Sequence, residues 1–178
     1  MTGHPGPPVL RVSVTEIRRR LGTRKALRSE LEADGIGLSD VRVVDGSDLV
    51  LEGELESISE GVVLTGSVSV PWVGACRRCL AEVAGVAAVD VREVYETVPV
   101  EGETWPLVND QIDVGPLLHD TALLALPLAP LCRDDCQGPA PDQFPTVAAS
   151  QDQPPSAAPG EDEPARDPRW AALDDLEL

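Results

Sequence analysis

Four cysteines carry most of the chemistry open to this 178-residue chain. They fall in two clips, Cys76-Arg-Arg-Cys79 and Cys132-Arg-Asp-Asp-Cys136, with no cysteine left over. A structural zinc site needs four thiolates at about 2.3 Å in a tetrahedron, and two short clips on separate loops can supply them. The 52 residues between the clips exceed the usual zinc-ribbon spacing, so other elements must bring the clips together. Two other readings stand beside this one. The cysteines can be small apolar core residues, or they can be a redox or disulfide pair. Arg77 and Arg78 favour thiolates by proximity, which suits metal or redox work alike. A thioredoxin-like clip opens a helix after a strand, whereas here a strand-like run follows Cys79.

Other reactive groups are sparse. His4 lies in a proline-rich start, and His119 sits mid-helix beside Asp120 as a surface residue. No phosphate-binding glycine loop, nucleophile elbow or zinc-protease helix motif occurs. The expectation is a protein that is not an enzyme and has no small-molecule substrate.

The runs around the cysteines read mostly as strands. VLRVSV (9–14) alternates and reads as a short strand. Residues 15–35 read as a helical turn at Thr15 followed by either a strand or a second helix. SDLVLEGELESI (47–58) places Leu49, Leu51, Gly53 and Leu55 on one face and Glu52, Glu54 and Glu56 on the other. Ser-Glu-Gly at 59–61 is a hairpin signal. GVVLTGSVSVPW (61–72) alternates again, and EVAGVAAVDVREVYE (82–96) is too β-branched for a helix. Three such runs predict an antiparallel meander with one buried face. The first clip then falls at a strand-to-strand connection. Residues 97–108 read as a loop, and 110–113 as a short edge strand. GPLLHDTALLALP (115–127) reads as a helix with Pro116 in its first turn, Pro127 at its end, and Leu117, Leu118, Thr121 and Leu124 on the sheet.

The formal charge of −17 is unevenly spread. Residues 1–28 hold seven Lys/Arg against Glu16 alone, and the remainder holds 30 acids against seven basic residues. An acidic body argues against wholesale wrapping by nucleic acid. The basic stretch of Arg18, Arg19, Arg20, Arg24, Lys25 and Arg28 reads either as a solvated face paired with the acidic body or as a contact for RNA phosphates. Aromatic residues for base stacking are absent there, so base-specific reading is not expected. No secretory leader is visible at the start, and the most apolar run (121–131) is far too short to span a bilayer. A cytoplasmic protein with no membrane partner is expected. Residues 139–168 hold eight of the 17 prolines and few large apolar groups, the composition of a disordered segment. DPRWAALDDLEL (167–178) then places Trp170, Leu173 and Leu176 at helical spacing, as a docking helix would.

In order, the meander ending in CRRCL, the acidic loop, QIDVGPLLHDTALLALPLAPLCRDDCQG and the closing DPRWAALDDL resemble the YceD-like family. Its members are named for accumulation of large-subunit ribosomal RNA. The resemblance covers about residues 9–138 and 167–178, and ALLALPLAPLC is its most specific part. It implies an accessory role in biogenesis of the large ribosomal subunit, and no enzymatic activity is established for the family. The implied partners are large-subunit ribosomal RNA or its assembly intermediates, and ribosomal proteins or assembly factors. Many relatives continue the second clip as C-x3-C-x-G-L-C-x2-C-G. Here Ala140 and Gln143 stand where those relatives have two further cysteines, so Cys132 and Cys136 either take Cys76 and Cys79 to complete a tetrahedron or bind no metal. The expected fold is α+β and β-dominated, an antiparallel meander or partial barrel with a packed helix. The expected organisation is a flexible start (1–8), a YceD-like domain (9–138), a disordered linker (139–166) and a C-terminal helical motif (167–178). A zinc-stabilised protein-interaction adaptor without RNA contact is the alternative reading.

Overall fold

The computed structural model describes residues 8–143. The expected helix bearing Trp170, Leu173 and Leu176, most of the expected linker and nearly all of the expected flexible start lie outside the described residues.

The core of the fold is the hairpin of β5 (Asp48–Ser57) and β6 (Gly61–Ala75), closed where the Ile58 N–H donates to the Gly61 carbonyl at 3.0 Å. Its register sets Leu55 opposite Leu64 and Leu51 opposite Val68. These four side chains, with Leu49 and Val70, are fully buried, as the alternation in the sequence predicts. Gly53 faces Gly66 across the pair. A Cβ on Gly66 would meet the Glu52 carbonyl and Gly53 Cα, so the two backbones approach here more closely than side chains permit. β7 (Glu82–Glu96) pairs antiparallel with β6 along its full length. The meander is therefore as expected, and it belongs to a β-dominated, half-barrel sheet.

Residues 24–32 form a strand, β2 (Arg24–Glu32), paired antiparallel with β5. Read alone, RKALRSELE fits a helix or a strand. The partner decides: Glu52, Glu54 and Glu56 repeat every second residue along β5, and Arg28 and Arg24 stand opposite the two ends of that acidic row, with Ala26 between them. β3 (Gly37–Leu38) and β4 (Val41–Val43) follow, and β4 pairs with β6 beyond the end of β5.

The expected loop at 97–108 contains a strand, β8 (Trp105–Val108), which overturns the loop reading in that half. β8 runs parallel to the end of β7, pairing Tyr95 with Trp105. It forms a hairpin with β9 (Gln111–Asp113) through Asn109 and Asp110, at φ 52° and 55°. Two consecutive left-handed residues of these types make the tight turn suited to strand twist, and Pro106 falls at the second residue of a strand only four residues long. β1 (Arg11–Ser13) pairs with β9, and α1 (Thr15–Arg18) follows it.

α2 (Gly115–Ala125) lies against the sheet. Gly115 is required because a Cβ there would run into the Pro8 carbonyl, and the Asp113 carboxylate accepts from the N–H groups of Leu10 (2.8 Å) and Gly115 (3.0 Å). Leu117, Leu118, Thr121 and Ala122 are buried. Leu124 is not on the buried face as expected: it is 87% exposed. It sits at the border of the apolar stripe in the last turn. Leu126, extended just past the helix, turns into the core in its place and is 3% exposed.

Candidate metal centre

The first cysteine clip is the turn between β6 and β7. The Cys76 N–H donates to the Ala81 carbonyl at 2.8 Å, and the Leu80 N–H donates back to the Cys76 carbonyl at 2.9 Å. Closing so short a turn puts Leu80 in the left-handed region, at φ 62°, which is costly for a side chain with a Cβ. Leu80 is 74% exposed, so packing does not hold it there.

The second clip is delivered by α2. After the helix the chain runs through Pro127 and Pro130 to Cys132, and the Arg77 N–H donates to the Pro130 carbonyl at 2.9 Å, which seats one clip on the approach to the other. The Arg78 guanidinium completes the join through Nη1, which donates to the carbonyl oxygens of Cys136 (2.8 Å) and Asp134 (3.0 Å).

The four sulfurs converge. All Sγ atoms lie within 4.8 Å of one another. The closest contacts cross between clips: Cys76 to Cys136 at 3.9 Å and Cys79 to Cys132 at 3.7 Å. Four sulfurs at about 2.3 Å from a common centre in a tetrahedron are about 3.8 Å apart. A disulfide needs about 2.05 Å, and all four thiols are free. The donor set therefore fits a four-thiolate ion such as zinc, with every position filled by protein. Cys76 and Cys136 are buried, Cys79 is half-buried and Cys132 is exposed.

The electrostatics follow the same geometry. The backbone N–H groups of Cys79 and Cys132, then that of Arg78, bring the Cys76 thiol down to about 6 against the opposing effect of burial. Backbone amides carry this shift, rather than the arginine charges the sequence suggested. Cys132 is pushed up to about 12, chiefly by its hydrogen bond with the Cys136 side chain. A bound metal would hold all four cysteines as thiolates.

The other candidate residues lie elsewhere. Ala140 and Gln143 share a turn in which the Gln143 N–H donates to the Ala140 carbonyl at 3.1 Å. Most of the basic stretch is engaged with acids of the same chain. Arg18 binds Asp110 at 2.7 Å, Arg24 binds Glu54 and Glu56 at 3.3 and 3.0 Å, and Lys25 binds Glu16 at 3.3 Å. Arg28 binds Glu30 at 2.8 Å and also Glu52. Arg19 and Arg20 are exposed and make no ion pair among the described residues. His119 is at the surface, 3.1 Å from Asp120. The sequence reading missed the structural role of Arg78, because nothing in a Cys-Arg-Arg-Cys string says which guanidinium turns back to carbonyl oxygens 56 and 58 residues away.

The chain is 34% identical over 170 residues to an uncharacterized protein of Mycobacterium tuberculosis, covering 91% of this chain and 78% of the relative. A Mycobacterium bovis protein matches to the same extent, and a Mycobacterium leprae protein is 29% identical over 171 residues, covering 92% and 75%. Both are likewise described as uncharacterized. No solved structure gives a significant match. The family model described as "Large ribosomal RNA subunit accumulation protein YceD" matches residues 64–177, from near the start of β6 through both clips. The chain belongs to the YceD family.

Proposed function

We propose that this chain is a non-enzymatic, cytoplasmic accessory factor that supports accumulation of large-subunit ribosomal RNA by binding, and that zinc held by Cys76, Cys79, Cys132 and Cys136 fixes its binding-competent form. The family description supports the ribosomal assignment. The observation that carries the mechanism is the four-thiol cluster: a centre with four protein donors has no open position for water or substrate, so it serves structure rather than turnover. It joins the β6–β7 turn to the segment after α2, reinforcing the hydrogen bonds that Arg77 and Arg78 already make between them. The partners on this reading are precursor large subunits, through their RNA or their proteins. Within the basic stretch, Arg19 and Arg20 are the residues most available to phosphate. The test is co-sedimentation with precursor large subunits, together with rRNA levels in a deletion strain. Unchanged precursor and mature large-subunit rRNA on deletion would refute the proposal.

A second reading has an observation of its own. Because Arg18, Arg24, Lys25 and Arg28 are engaged with acids of the same chain, a zinc-stabilised adaptor that contacts proteins and no RNA is also supported. It predicts that removing residues 139–178 abolishes partner recovery while charge reversal at Arg18–Arg20 does not. The RNA reading predicts that reversal at Arg19 and Arg20 weakens co-sedimentation.

A further inference from the structure

The two long outer strands of the sheet treat their free edges differently. β2 pairs only with β5, and five of its nine residues are charged: Arg24, Lys25, Arg28, Glu30 and Glu32. Charged edges of this kind deter pairing with other chains. β7 is paired with β6 on one side, and on the other it meets β8 only at Tyr95 and Glu96. Among the described residues, no strand pairs with the outer edge of 82–94. That edge lacks the usual protection. From 82 to 91 it reads EVAGVAAVDV, with Glu82 and Asp90 as its only charges, no proline, no lysine, and Val86 67% exposed. A row of backbone donors and acceptors flanked by small and β-branched side chains is a template for an added strand.

We infer that the outer edge of β7, residues 82–92, takes an extended basic peptide segment of a partner protein as an additional antiparallel or parallel strand. Charge selects the occupant. The chain carries −17 and the edge carries Glu82 and Asp90 against Arg92, so a Lys/Arg-rich segment is attracted and a second copy of this chain is repelled. The cysteine cluster has a direct bearing on this edge, because its first clip is the turn from which β7 starts: Cys76 bonds Ala81, the residue before Glu82. A fixed clip fixes where the template begins. The choice of a basic partner rests on the ribosomal reading above, but the assay below contains no ribosome, so its failure would leave that reading in place.

The probe is a fluorescent peptide of alternating Lys and Thr, about a dozen residues long, titrated against the full zinc-loaded chain. A second peptide of equal charge has alternate threonines replaced by proline, which cannot donate to a strand ladder. The expected result is binding of the first peptide at least about tenfold tighter than the second, with slowed amide exchange in 82–92 and nowhere else on the sheet. Val86→Lys with Ala88→Lys, both at exposed positions, should abolish the difference while circular dichroism and zinc content stay unchanged. Glu101→Lys with Glu103→Lys, a larger charge change on an exposed loop, should preserve it. Equal binding of the two peptides would reduce the interaction to plain charge attraction and overturn the inference. So would protection of 82–92 without peptide in a sample that sediments as a dimer, which would give the edge to a second copy.

Discussion

Cys79 and Cys132 lie 53 residues apart in the chain and hold their sulfurs 3.7 Å apart, each belonging to a different clip. A cross-clip contact at the edge length of a four-sulfur tetrahedron means that one ion would tie the end of the β6–β7 hairpin to the segment that follows α2. Neither clip alone holds the ion, because each supplies only two ligands. Removing zinc with a chelator is therefore expected to lower the thermal midpoint of the full chain by about 10 °C, the effect of losing about 3 kcal/mol from a domain of this size. Differential scanning fluorimetry with and without chelator checks this, and re-addition of zinc should restore the midpoint.

The metal-free protein should show a distinctive pH dependence. Cys76 titrates near 6 instead of 9.0, so its thiolate favours the folded state fully above pH 9 and loses that effect as pH falls through 6. Cys132, raised to about 12, acts in the opposite sense: folding opposes its ionisation, and stability falls as pH rises from 9 toward 12. Denaturant midpoints of metal-free protein should rise from pH 6 to 9 and decline above. Thiolate absorbance should appear near pH 6 with the amplitude of one cysteine; absorbance rising only near 9 would contradict the backbone-amide geometry around Cys76.

Arg78 holds the second clip through the carbonyl oxygens of Asp134 and Cys136 and supplies no ligand. Arg78→Ala should weaken zinc affinity by about tenfold or more, as loss of supporting hydrogen bonds around ligands does. Arg77→Ala, which leaves the Arg77 backbone bond to Pro130 in place, should change it little. Competition with a zinc-binding dye measures both.

The Tyr95 hydroxyl is buried and has no hydrogen-bond partner among the described residues, while its ring stacks near Trp105 with centroids 6.3 Å apart. Burial, with Glu93 and Asp113 nearby, pushes its ionisation upward. Tyr95→Phe keeps the ring and removes an unsatisfied polar atom, so it should leave stability unchanged or raise it by about 1 kcal/mol in urea denaturation. Gly66→Ala should do the reverse, costing about 3 kcal/mol, because its Cβ has only backbone atoms to displace.

Strands whose side chains alternate between core and solvent were legible in the sequence, since Leu49, Leu51, Leu55, Leu64 and Val68 carry the pattern by themselves. β2 was ambiguous because its pattern is one of charge, and charge acquires a period only against the acids of β5. β8 was hidden by Pro106 and by its brevity, although Asn109-Asp110 is a turn signal that could have exposed it. Leu124 belongs to the helical stripe by spacing, and only the position of the helix end leaves it in water. The two clips were legible as chemistry. Their meeting was one reading among three, because it depends on how α2 lies on the sheet, a property of the assembled fold rather than of spacing. Arg78 and Leu80 were invisible for the same reason: one acts through carbonyl oxygens far along the chain, and the other occupies a backbone conformation in which a glycine would have been the clue.

The central claim is that one zinc site spans both clips, and the most direct measurement is zinc per chain in protein purified without chelator, repeated for Cys79→Ser and Cys132→Ser. The account predicts about one zinc per chain in the wild-type protein and loss of most of it in both variants, since each removes one of four ligands from the same centre. A wild-type chain without zinc, or a Cys132→Ser variant that keeps its full complement while Cys79→Ser loses it, would contradict the claim.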